Sequence, residues 1–245
     1  MTIYTSMAQY NSEEAKRKRR QRARSRIRAL SGGGKGIAYD LTFLQGLGDA
    51  TDLATYTFAG ASLGAAAATR MIIVTGSMRA AGAITLTGVT VQGLTVTIDK
   101  EQQNTSGGNT SSAFIGHALV PTGTTGDIVV TWSGAGPVHQ GISTYRITKY
   151  LSATPVLTNG GNRTGAGTID LTLAAGRSVQ IGCATGMGGT NRRHTSASFV
   201  GSSPASSLVD IQNNSDIWTG LTEDTDNIVE AGAIAALCAA SVAWR

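Results

Sequence analysis

The stretch from Ala83 to Ile98, AITLTGVTVQGLTVTI, sets apolar residues against threonine at alternate positions and is punctuated by Gly88 and Gly93. A period of two is the spacing of a strand with one face on a core and the other toward water. Threonine is branched at Cβ and fits the pleated surface better than it fits a helix. The same signature recurs at Tyr56–Phe58, Asp127–Trp132 (DIVVTW) and Ile142–Ile147. Strands are also expected at Ala113–Val120, Gly167–Leu173, Ser178–Cys183, His194–Val200 and Ala231–Trp244. Arg70–Thr75, RMIIVT, is apolar at successive positions and reads as a strand buried in the interior.

Breaks rich in glycine separate these segments every eight to twelve residues or so, a spacing that suits a sandwich of short strands. No helix-period segment between them is long enough to build parallel crossover units. About eight to ten strands fit an all-β, jelly-roll-like β-sandwich over residues 37–245. Lys100–Ser112, KEQQNTSGGNTSS, reads as a polar loop within it. Aromatic residues make up only 5% of the chain and charged residues 14%, so threonine, serine, asparagine and glycine must cover much of the surface.

Residues 1–36 are of another kind. Lys16, Arg17, Lys18, Arg19, Arg20, Arg22, Arg24, Arg26 and Arg28 place nine cations in thirteen positions. From Ala29 onward eleven basic residues face thirteen acidic ones, a net of about −2, so the overall +5 belongs to the arm. A body that grips nucleic acid would carry a distributed basic face. Ser12 is suited to cap a helix through Glu13, Glu14 and the basic run, and Gly32, Gly33 and Gly34 end it in a flexible joint. Self-repulsion makes such a helix marginal alone, so it is expected to order against an acidic or carbonyl-rich partner. Protein docking is the leading use of the arm, with nucleic acid as the alternative. No aromatic side chain interleaves the cations for base stacking.

Motifs of chemistry are sparse. Ser31–Gly36, SGGGKG, lacks the order and the preceding strand of a phosphate loop. No nucleophile elbow accompanies His117, His139 or His194. His117 lies in an apolar strand and reads as a hydrogen-bonded structural residue. Glu223, Asp224 and Asp226 form a local acidic cluster expected in a loop, where capping a turn is its first use. Cys183 and Cys238 lack metal-ligand spacing and read as buried thiols, a bridge between neighbouring strands being the alternative. No catalytic residues, metal site or cofactor are expected. The first thirty residues lack an apolar signal region, and no stretch approaches a membrane span, so no membrane partner is expected.

Four segments together resemble a group of uncharacterised tailed-phage and prophage proteins, taken as virion components. They are Thr55–Gly64 (TYTFAGASLG), Arg70–Val74 (RMIIV), Thr87–Gly93 (TGVTVQG) and Val120–Ser133 (VPTGTTGDIVVTWS). The resemblance covers roughly residues 40–150 and does not include the arm. It implies a structural component of a bacteriophage virion, in head decoration, neck, tail or fibre, assembled in the host bacterial cytoplasm. Its partners would be other virion proteins and copies of itself. Two other readings are a jelly-roll capsid shell protein with a genome-binding arm, and a carbohydrate-binding adhesin. The adhesin reading needs exposed aromatic platforms, for which Trp132, Tyr145 and Trp218 are the candidates, although their strand contexts favour core packing.

Overall fold

The computed structural model describes residues 40–49, 51–106, 108–134, 137–164, 176–188, 191–203, 210–211, 218–219, 223–229 and 236–245. All of them fall within one compact unit, Ile37–Arg245. The basic arm and the strand expected at Gly167–Leu173 lie outside the described residues. Among those described there is no helix.

The strands are β1 (Leu41–Asp49), β2 (Thr55–Ser62), β3 (Met71–Ala81), β4 (Leu86–Val91), β5 (Leu94–Thr95), β6 (Thr97–Ser106), β7 (Asn109–Leu119), β8 (Thr125–Trp132) and β9 (Pro137–Ile147). They continue with β10 (Leu157–Thr164), β11 (Gly176–Gly188), β12 (Asn191–Ser203), β13 (Asp210–Ile211), β14 (Trp218–Thr219), β15 (Glu223–Val229) and β16 (Ala236–Trp244). A central sheet runs β1-β9-β3-β7-β6, a front sheet β2-β8-β4-β5 and a back sheet β10-β16-β11-β12-β15, while β13 and β14 pair alone. Every pairing is antiparallel. Up to β9 the strands also pair from the outside inward: β1 with β9, β2 with β8 and β3 with β7.

Both faces of the central sheet are covered, so the sandwich has a third layer. Tyr56, Phe58, Val89, Val91, Ile128, Val130 and Trp132 of the front sheet pack on Ile72, Val74, Met78, Phe114, Ala118 and Ile142. On the opposite face Met71, Ile73, Ala113, Ile115, Tyr145 and Ile147 meet Val179, Ile181, Cys183, Cys238, Ala240, Val242 and Trp244 of the back sheet. This explains the unbroken apolar run in β3. Its first eight residues are all buried because consecutive side chains enter two different cores. In β2 and β8, with one face outward, buried and accessible positions alternate along most of each strand.

Two sequence expectations are corrected here. The polar stretch Lys100–Ser112 is no loop but the arms of the β6–β7 hairpin, with Gln102 opposite Ala113 and Gln103 opposite Ser112. Its side chains find partners: Ser112 Oγ donates to Glu101 Oε1 at 2.9 Å, and Gln103 Nε2 donates to the Ile84 carbonyl at 3.1 Å. The acidic cluster at Glu223–Asp226 lies on β15, not in a loop.

Candidate functional site

The four segments of the phage-like resemblance come together in space, and Arg70 is where three of them join. Its side chain is fully buried, and the four hydrogen-bond acceptors around it are backbone carbonyls rather than carboxylates. Nε donates to the Val120 carbonyl at 2.6 Å, Nη1 to the carbonyls of Leu63 (3.1 Å) and Gly64 (2.9 Å), and Nη2 to that of Thr122 at 2.6 Å. One guanidinium thus ties the β2–β3 connection to the β7–β8 connection across the end of the front sandwich. Lysine could not copy this, because its ammonium is a point donor rather than a planar fork. Burial, and after it the nearby Arg146, pull the Arg70 pKa below its ordinary value.

The fourth segment, Thr87–Gly93, interlocks with Val120–Ser133. Gln92 and Gly93, at φ 51° and 76°, make the two-residue turn between β4 and β5, a left-handed pair that matches the twist of a hairpin. The Gln92 side chain lies across Gly126, where an added Cβ would stand 2.1 Å from Gln92 Cγ, and Gln92 Nε2 donates to the Thr125 carbonyl at 2.7 Å. The motif residues therefore build a scaffold end. Among the described residues they do not converge on an acid, a base and a nucleophile.

Of the aromatic candidates, Trp132 is 2% exposed and Tyr145 is fully buried. Trp132 Nε1 donates to Gln140 Oε1 at 2.8 Å, and its ring stands edge-on to Phe114 with centroids 6.1 Å apart. Tyr145 meets Phe43 edge-on at 5.4 Å. Neither ring has a free face for a sugar to stack on. The Trp218 side chain, like the basic arm and the side chains of His139 and His194, lies outside what the structure describes.

His117 sits on β7 with Nδ1 2.7 Å from Asp99 Oδ2, and its ring edge meets Trp244 at 6.3 Å between centroids. This is the hydrogen-bonded structural histidine that the sequence suggests. The two thiols lie on one face of adjacent strands in a diagonal relation: Cys183 is opposite Ala240, and Cys238 is two residues away on β16. Diagonal neighbours stand about 7–8 Å apart at Cα, beyond the reach of a disulfide without backbone movement, and no bridge joins them. Burial is the main cause of their raised pKa values, and it pushes Cys238 up to about 12. Thiols held neutral in this way are poor nucleophiles. Among the described residues no group of His, Cys, Asp or Glu could hold a metal ion.

Among the described residues the outer face of the front sheet is accessible. Thr55, Thr57 and Thr95 are exposed there, and Thr90, Val129 and Thr131 are half-buried. The four strands of this sheet carry one charged residue, Asp127, which accepts the Gly60 amide at 2.9 Å on the rim. No family model matches the chain, and no curated protein and no solved structure matches it.

Proposed function

We propose that this chain is a non-enzymatic structural protein of a bacteriophage particle, a jelly roll fixed among its neighbours by the basic arm Lys16–Arg28. The observation that carries this reading is the strand order. The sheets β1-β9-β3-β7 and β2-β8-β4-β5, nested from the outside inward with β6 added at one edge, support the jelly-roll reading. Double-sheet rolls of this kind recur in viral capsid and lectin domains. A fold does not assign a role by itself; the arginine-rich arm and the resemblance over residues 40–150 favour the particle. Burial of Trp132 and Tyr145 speaks against the lectin alternative. The pairing of His117 with Asp99 and its packing on Trp244 hold the ring in place rather than direct it at a substrate.

The arm reads as a protein anchor, because seven of its nine cations are arginine, whose fork pairs with carboxylates and carbonyls. The experiment is purification of intact particles with electron microscopy to locate the chain. Replacing Arg20, Arg22, Arg24, Arg26 and Arg28 by Gln is expected to abolish incorporation while the body stays folded. Absence of the chain from purified particles overturns the particle reading. Occupancy that depends on packaged genome, with DNA affinity falling steeply with salt, replaces protein docking by genome binding.

A further inference from the structure

The front sheet ends on β2, and this edge differs from the other free edges of the first nine strands. At the opposite end of the front sheet β5 pairs over two residues only. The central sheet ends on β6, which carries Asp99, Lys100 and Glu101, and on β1, which is bulged at Leu44 and closes on Asp49. Short strands, charges and bulges are the devices that keep sheet edges from pairing with other chains. Along Thr55–Phe58 the edge has none of them: no charge, no proline, and a regular register against β8 from Thr55↔Thr131 to Phe58↔Ile128. The bulge in β2 comes only afterwards, at residues 59–60.

The direction of the open hydrogen-bonding groups follows from the pairing. The Trp132 amide donates to the Ala54 carbonyl at 2.8 Å, which makes Ala54, Tyr56 and Phe58 the residues bonded to β8. Thr55 and Thr57 then turn their N–H and C=O groups away from the sheet. Their side chains are exposed, while Tyr56 between them is fully buried.

We infer that this edge pairs with the same edge of a second copy across a two-fold axis. With the axis at Tyr56, Thr55 of one copy stands opposite Thr57 of the other, and each such pair exchanges two N–H···O bonds. Four bonds then join two four-stranded sheets into one of eight strands. A two-fold contact sets a patch against itself; at the paired positions threonine meets threonine, a favourable cross-strand pair, while Asp49 and Asp52, close enough to act on the Tyr56 hydroxyl, lie outside the paired segment. The contact is small, so association is weak in solution and strengthens where many copies are held together. This inference deepens the part of the proposed function in which the chain packs with copies of itself, but its test needs no particle.

Sedimentation equilibrium of the purified full chain, over a concentration series into the hundreds of micromolar, is expected to show a species of twice the chain mass. Thr57→Pro removes an outward N–H that the sheet does not use, so the fold should survive, because proline is tolerated at such edge positions. The dissociation constant should rise at least tenfold. Thr57→Lys, which puts like charges across the axis, should do the same and serves if the proline variant unfolds. A chain monomeric throughout the series overturns the inference. So does a dimer that persists in a folded Thr57 variant, or one abolished only by the arginine-to-glutamine arm variant.

Discussion

On its front face the central sheet meets Tyr56, Phe58 and Trp132 together with branched aliphatics; on its back face it meets Cys183, Cys238, Ala240, two valines, Ile181 and Trp244. Polar groups sharpen the contrast. Thr75, Ser77, Ser111 and Ser143 are buried; Thr75 Oγ1 donates to the Ser143 carbonyl at 3.5 Å, Ser111 Oγ to the Asn104 carbonyl at 3.4 Å, and across the back interface Cys183 Sγ donates to the Gly76 carbonyl at 3.4 Å. The front interface excludes water with large side chains and is closed at one end by the Arg70 clamp. The back interface relies on small side chains and on polar groups such as the Cys183 thiol, satisfied across it by the Gly76 carbonyl, which makes it more sensitive to any loss of register. One sheet therefore serves two interfaces of different composition.

The largest effect is expected at the clamp. Arg70→Met should cost about 3–5 kcal/mol in urea unfolding, because it leaves the carbonyls of Leu63, Gly64, Val120 and Thr122 without their donor. A cost below about 1 kcal/mol would mean that water replaces the guanidinium and that the front sandwich owes nothing to it. The next test sets one interface against the other. Trp132→Leu should destabilise by about 3 kcal/mol, since it opens a cavity and strands Gln140 Oε1 in the core. Trp244→Leu should cost at least about 1 kcal/mol less, because its partner, the Ala153 carbonyl at 3.1 Å, belongs to a half-buried residue that water can reach. Equal losses would erase the distinction between the two interfaces.

The smallest effect concerns the thiols. Their folded pKa values lie above the ordinary value of 9.0, so the protonated form is the one the fold favours. Their contribution to stability is complete below about pH 9 and declines as pH rises toward about 12, as the unfolded thiols ionise first. The loss should be roughly 1 kcal/mol for each thiol near pH 9.5. The double variant Cys183→Ala/Cys238→Ala should have a flatter stability curve between pH 8 and 10. A curve of unchanged slope would show that the back sheet already admits water around both sulfurs.

The strands of the front sheet were legible because one face is wet. In DIVVTW, Ile128, Val130 and Trp132 alternate with half-buried positions, and the period-two rule places them inward correctly. The back sheet was harder to read. Strand β10, LTNGGNRT, has no apolar period, and its Asn-Gly pair is a turn signal. Gly160 is there for another reason: an added Cβ would stand 2.8 Å from Lys100 Cε and 2.9 Å from the Ala239 carbonyl, so the strand can lie against β6 and β16 only without a side chain. The polar β6 was missed likewise, since its glutamines are satisfied by bonds such as Gln103 Nε2 to the Ile84 carbonyl at 3.1 Å. The Arg70 clamp left a trace in sequence only as a cation opening an apolar run, which hydropathy alone reads as a strand boundary.

Because every strand of the central sheet is made before residue 148, the ribosome finishes the central and front sheets while the back face still has no cover. Met71, Ile73, Ala113, Ile115, Tyr145 and Ile147 then wait for the remaining 98 residues. At ordinary translation speeds that wait lasts roughly 5–20 s, far longer than a hairpin needs to form. During it the nascent chain presents a sticky sheet face to chaperones and to its neighbours on the same message. Strands β11 and β16 thus act as a built-in lining, and a stop codon ahead of β11 would leave this apolar face bare.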